Sequence, residues 1–90
     1  MALASSEAVV QLPAGVALHA RPAGLFVRTA AGFRSRITVS AGGRDADAKS
    51  ILAVLALGAG GGAQLLVRAE GEDADAAVAA LSSCLTTLVE

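Results

Sequence analysis

The spacing of apolar residues in this chain switches between a period of two and a period near 3.6 over short distances. That alternation restricts the fold more than any single motif does. Glu7 to Leu12 (EAVVQL) is short, β-branched and closed by Pro13, the pattern of a strand. From Ala20 to Ala31 the apolar residues Ala23, Phe26, Val27 and Ala30 fall at helical spacing, with Pro22 in the first turn and Gly32 as the stop. Ser35 to Ser40 (SRITVS) alternates as a half-buried strand does, and after Ala41, Gly42 and Gly43 the stretch Arg44 to Ala48 pairs back as a second hairpin arm. Ser50 to Leu57 (SILAVLAL) is a compact helix with Ser50 as its N-cap and Gly58 at its end. Gln64 to Glu70 is a further strand, broken by Gly71. A last helix runs from Asp73 to about Val89, with Glu72, Asp73 and Asp75 near its positive dipole end and Ala77, Val78, Leu81, Leu85 and Leu88 as its stripe.

The order is therefore β-α-β-β-α-β-α, an α+β arrangement whose helices, all joined to one small sheet, cover a single face of it. Its 90 residues fit one domain over 1–90, with 1–6 as an N-terminal extension. The core must be aliphatic, because Phe26 and Phe33 are the only aromatic residues. Nucleic-acid binding by base stacking therefore has nothing to work with. Cys84 is the sole cysteine, which excludes an internal disulfide and a paired-cysteine metal site. One histidine beside one cysteine does not furnish tetrahedral zinc, so no metal or cofactor is expected. The opening MALASSEAVVQL lacks a basic start and a long apolar centre, and no run approaches the ~20 apolar residues of a membrane span. The expectation is a cytoplasmic protein with no membrane insertion.

Net charge hides an asymmetry. Through residue 68 there are seven basic residues (Arg21, Arg28, Arg34, Arg36, Arg44, Lys49, Arg68) and three acidic ones (Glu7, Asp45, Asp47); beyond it there are five acidic residues and no basic one. This is either ordinary solvated surface or a basic side that receives an acidic partner or an anion.

The lone histidine, His19, stands where a loop should become a helix. There an imidazole lies beside unused backbone N–H groups and the positive dipole end, a place that attracts phosphate. Arg21 adds a guanidinium able to grip phosphate oxygens in two places, and Pro22 stiffens the first turn. Nothing nearby forms a triad, a metal cluster or an acid pair. The chemistry left open is acceptance of a phosphoryl group on nitrogen; the plain alternative is a structural or merely exposed histidine. The middle helix is the second anomaly. ILAVLAL is apolar on every side, so Ile51, Leu52 and Leu55 cannot all be buried with Val54 and Leu57 in so small a domain, and they mark a docking surface unless the helix is wholly core. The run Gly60–Gly61–Gly62 lacks the Lys-Ser/Thr of a phosphate loop and precedes a strand, so it reads as a flexible turn. Cys84 reads as a buried, inert thiol on the last helix. Gly24 either leaves room for something to approach near His19 or is simply tolerated. Ser50 is a cap first, and as a phosphorylation site it would place negative charge beside the apolar patch.

Taken together, LHARPAG at 18–24, AKSILAVLALG at 48–58 and AEGEDADAAVAAL at 69–81, with FVRTAAGFRSRITV bridging the first two, resemble the HPr family, the histidine-containing phosphocarriers of the bacterial phosphotransferase system. The resemblance covers nearly the whole chain after residue 6. It implies an open-faced β-sandwich, a four-stranded antiparallel sheet backed by three helices. It also implies that His19 takes a phosphoryl group at Nδ1 from phospho-enzyme I, assisted by Arg21, and passes it to the A domain of a sugar-specific enzyme II. By the same resemblance Ile51, Leu52 and Leu55 match the family's partner-binding patch. Gly24 is counted among the partner-binding residues with them, Arg28, Arg44 and Lys49 match positions often basic around the patch, and Ser50 matches the serine that a dedicated kinase modifies in some bacteria. A monomer is expected by analogy. Family members commonly carry a glycine, often after a small polar residue, just before the Leu-His-Ala-Arg-Pro run; here Val16 and Ala17 hold those places, leaving Gly15 to supply backbone freedom. Two other readings stand beside the carrier: an HPr-like regulator, the nitrogen-related branch included, in which phosphorylated His19 is a signal to regulators, and an interaction module in which His19 is incidental.

Overall fold

The computed structural model describes residues 4–88 of the chain. Its elements follow the expected order: β1 (Ser5–Gln11), α1 (Ala20–Ala31), β2 (Arg36–Ala41), β3 (Arg44–Asp47), α2 (Ile51–Ala56), β4 (Gln64–Glu70) and α3 (Ala74–Thr86). The strands form one sheet in the order β1-β4-β2-β3, with every neighbouring pair antiparallel. β1 begins two residues ahead of the expected Glu7, because Ser5 and Ser6 pair with Glu70 and Ala69 at the far end of β4. α3 is shorter than its apolar stripe suggests. The Thr86 and Thr87 hydroxyls donate back to the carbonyls of Ser82 and Ser83 as the helix ends, and Val89 lies outside the described residues.

Period-two alternation sorts the sheet into two faces. Val10, Ile37, Val39, Ala46, Leu65, Val67 and Ala69 point inward and are buried, joined by Ala23, Phe26 and Ala30 of α1, Val54 of α2, and Ala77, Val78, Leu81 and Leu85 of α3. The other face carries Glu7, Val9, Arg36, Arg68 and Asp47, all exposed, with Arg68 and Glu7 of adjacent strands 3.4 Å apart. All three helices therefore lie on one side, as an open-faced sandwich requires. α3 packs on β1 and β4, α1 packs on α3, and α2 lies beside α1 and β3.

One polar contact ties the layers. Asp73 stands at the N-cap of α3, yet its carboxylate bonds to no amide of its own helix. It reaches across to accept the N–H groups of Arg34 and Ser35, each at 2.9 Å, and the Ser35 hydroxyl. Ser35, 1% exposed, is the one buried polar residue among those described. The entry to β2 is thus fixed to the start of α3, and the amides following α1 do not go unbonded. Donation from the Ser35 hydroxyl, then from the Arg34 N–H, lowers the Asp73 pKa from 3.8 to about 2.

A folded-state pKa below the unfolded one gives stability that is present above pH 3.8 and is lost as pH falls toward 2. Urea midpoints measured from pH 5 down to pH 2 should fall for the native chain and fall less steeply for Asp73→Asn. Parallel profiles would contradict this role for Asp73.

Candidate functional site

The β1–β4 ladder ends at Gln11 opposite Gln64, but the backbones go on pairing beyond it. The Leu12 N–H donates to the Ala63 carbonyl at 2.9 Å, the Gly62 N–H to Pro13 at 3.3 Å, and the Leu18 N–H to Ala59 at 2.9 Å. The segment leading to His19 is thereby fastened to the glycine-rich connection between α2 and β4. Val16 and Leu18, 9% and 2% exposed, anchor it from below. Within the loop the Val16 N–H turns back to the Pro13 carbonyl at 3.2 Å, and Gly15 takes the left-handed φ of 81°. No described residue other than glycine has a positive φ, so Val16 and Ala17 fit without strained backbone. The glycine run forms the expected turn, with the Ala63 N–H donating to the Gly60 carbonyl at 3.1 Å, and it also backs this loop.

His19 occupies the N-cap of α1 with extended backbone (φ −116°, ψ −163°) and an exposed side chain. Its N–H donates to Ala17 O at 3.0 Å, and its carbonyl accepts the first helical bond, from the Ala23 N–H, at 2.8 Å. The imidazole does not close the cap. Pro22 has no N–H, so Ala20 and Arg21 supply the first-turn amides at the open end of the helix. His19, Ala20, Arg21 and Pro22 line a surface hollow of about 330 Å³, with Arg21 exposed at its rim and Pro22 buried beneath it. Amide donors, the helix dipole and a guanidinium around an open hollow are suited to holding a transient anion next to a nitrogen nucleophile.

α2 presents the apolar surface the sequence pointed to. Val54 is fully buried, while Ile51, Leu52 and Leu55 are 39%, 78% and 37% exposed. Leu25 of α1 is 44% exposed as well. Sequence reasoning passed over it although it lies off the stripe of Ala23, Phe26, Val27 and Ala30, which was signal enough. The Ser50 side chain accepts the Ala53 N–H at 3.2 Å, a working N-cap. The basic residues around the patch are not all available to a partner. The Lys49 ammonium donates to the Phe33 carbonyl, just past α1, at 2.7 Å, and an Arg44 guanidinium nitrogen lies 3.4 Å from the Ala56 carbonyl at the end of α2. Arg28 is exposed and folds back along α1, one guanidinium nitrogen 3.6 Å from where a Gly24 Cβ would be. Gly24 thus lies under Arg28. Cys84 is half-buried rather than buried, and desolvation pushes its thiol pKa up. Among the described residues there is no group of three or more potential metal ligands and no helix long and apolar enough to cross a membrane.

The family model described as the PTS HPr component phosphorylation site matches residues 4–87. This chain belongs to the HPr family. The HPr-family chain is 42% identical over 79 residues to the phosphocarrier protein HPr of Haemophilus influenzae, covering 88% of its own length and 93% of that protein. It is also 42% identical over 82 residues to a multiphosphoryl transfer protein of Xanthomonas campestris, of which it spans 10%. Among solved structures it is similar to the phosphocarrier protein HPr of Bacillus anthracis, with a TM-score of 0.87 and 35% identity, covering 92% of this chain and 99% of that one.

A Cβ at Gly24 would meet only ordinary contact with Arg28, and α1 is regular there. Gly24→Ala should therefore stabilise the protein by up to about 1 kcal/mol through helix propensity. A raised urea midpoint checks this, and a lowered one would show that the space over Gly24 is needed.

Proposed function

We propose that this HPr-family chain is a phosphocarrier in which His19 accepts a phosphoryl group from phospho-enzyme I and hands it to the A domain of a sugar-specific enzyme II. The observation that carries the reading is the exposed His19 at the N-cap of α1, lining one hollow together with Ala20, Arg21 and Pro22. The lone pair of the unprotonated Nδ1 attacks phosphorus in line. The new N–P bond forms as the bond to the donor breaks, and that electron pair leaves with the donor. Helix amides and Arg21 hold the phosphoryl oxygens, whose charge is the main thing a site of this kind must stabilise. Onward transfer is the same displacement with the acceptor as nucleophile. The open hollow lets the group leave as readily as it arrives.

The chain is then a relay and not a complete enzyme, because each partner brings the rest of the active site when it docks. Ile51, Leu52 and Leu55 supply the apolar contact, with Arg28 beside them in steering an acidic partner. Lys49 and Arg44 contribute to the local field while bonded to backbone carbonyls. Ser50 joins the proposal as a position for a serine kinase and its phosphatase. A phosphoryl group there would put about two negative charges next to Ile51 and Leu52 and repel the same partner. The protein is taken to act as a single-domain monomer in the cytoplasm.

Incubation with phosphoenolpyruvate and enzyme I should give an acid-labile, alkali-stable phosphoprotein that passes its label to a sugar-specific A domain. His19→Ala should take no label. An unlabelled native chain would contradict the proposal, and label without onward transfer to any sugar-specific A domain would point to the regulatory branch instead.

A further inference from the structure

The carrier reading accounts for His19 and α2 but leaves the run Gly60–Gly61–Gly62 unexplained. Its three members stand in unlike surroundings. Gly62 has a left-handed φ of 78°, a conformation that favours glycine by itself. Gly60 has neither a positive φ nor any atom within 4 Å of the place a Cβ would take. Gly61 also lacks a positive φ, but a Cβ there would lie 2.6 Å from the Gly15 nitrogen, 3.1 Å from the Gly15 Cα and 3.1 Å from the Val16 nitrogen. All three are main-chain atoms, so none can swing aside as a side-chain tip would. Gly61 is glycine for want of space: the two loops meet there backbone against backbone.

The segment it touches leads directly to His19. From Gly15 the chain is pinned by Val16 N–H to Pro13 O, by Leu18 N–H to Ala59 O and by His19 N–H to Ala17 O. Val16 and Leu18 are buried, so the segment cannot slide along itself to absorb a push.

We propose that Gly61 is a positioning residue for phosphoryl transfer: its bare Cα is the surface against which the Gly15–Val16 backbone rests, and that contact sets where His19 stands over the mouth of α1. The proposal rests on the carrier reading, since the placement of His19 matters to transfer only if His19 is the acceptor. A methyl at Gly61 would have to part the loops by most of an ångström, and a misplacement of that order costs up to about a hundredfold in rate.

Gly61→Ala and the neighbouring control Gly60→Ala are compared in the full chain for transfer from phospho-enzyme I, urea stability and backbone amide resonances. Gly61→Ala should lower kcat about tenfold to a hundredfold. Its KM should stay within about twofold, because the docking residues Ile51, Leu52 and Leu55 stand on α2. The amides of residues 16–21 should shift in Gly61→Ala, and Gly60→Ala should match the native chain in every respect. The proposal is overturned if the two variants behave alike, or if Gly61→Ala loses rate only in proportion to its unfolded fraction. Should Gly61→Ala fail to fold, Gly15→Ala carries the test. It strains the same backbone from the other side with no contact within 4 Å of its new Cβ, and a normal kcat there overturns the proposal. A native chain that takes no phosphoryl group sinks the carrier reading alone, because the amide shifts of residues 16–21 still decide whether Gly61 positions the loop.

Discussion

Backbone pairing between residues 12–18 and 59–63 is the constraint on which the site depends. An exposed loop eight residues long has little to fix it, and a nucleophile carried on one would wander by more than phosphoryl transfer tolerates. Here the loop borrows the rigidity of the sheet, because the β1–β4 ladder continues past its last regular pair through the hydrogen bonds of Leu12, Gly62 and Leu18. Those bonds also satisfy main-chain groups that would otherwise be shut away beneath the loop. The His19 side chain can stay exposed while the main chain that carries it is held.

The second half of the surface is fixed by similar means. α2 is a helix of six residues, too short to be stable by propensity, and it keeps three leucine-sized side chains in water. Its position is set at the start by the Ser50 cap and by Lys49 on the carbonyl of Phe33, at the end by Arg44 near the carbonyl of Ala56, and from below by Val54. Two of the charges that a sequence reader assigns to a partner are thus already engaged in holding the helix proposed to meet it. In the proposed carrier, a nucleophile on one rigid helix mouth and an apolar patch on a neighbouring clamped helix would give a surface needing little rearrangement on encounter.

Local signals in the sequence were enough for the elements and for the candidate nucleophile. Polar–apolar alternation placed β2, the run closed by Gly71 placed β4, the Ala23–Ala30 spacing placed α1 to the residue, and the all-round apolarity of SILAVLAL announced exposure that the structure shows at Leu52. What escaped notice depends on residues far apart in the chain. Nothing in the local pattern says that Asp73 bonds to Arg34 and Ser35, that Ser5 and Ser6 find partners at the end of β4, or that Gly61 lies against Gly15. Such contacts follow from topology, and they leave no period to read. The glycine run was visible as composition, but its cause became visible only once the loop opposite was in place.

The central claim is that the phosphoryl group rests on His19 with its oxygens turned to the amides at the mouth of α1. Nuclear magnetic resonance of the ¹⁵N-labelled protein, charged with phosphoenolpyruvate and enzyme I, tests both halves at once. The account predicts phosphorus coupled to the Nδ1 nitrogen of His19, with the Ala20 and Arg21 amides showing the largest shifts in the chain on charging. Coupling to any other residue, or Ala20 and Arg21 amides unmoved by the charge, would contradict it.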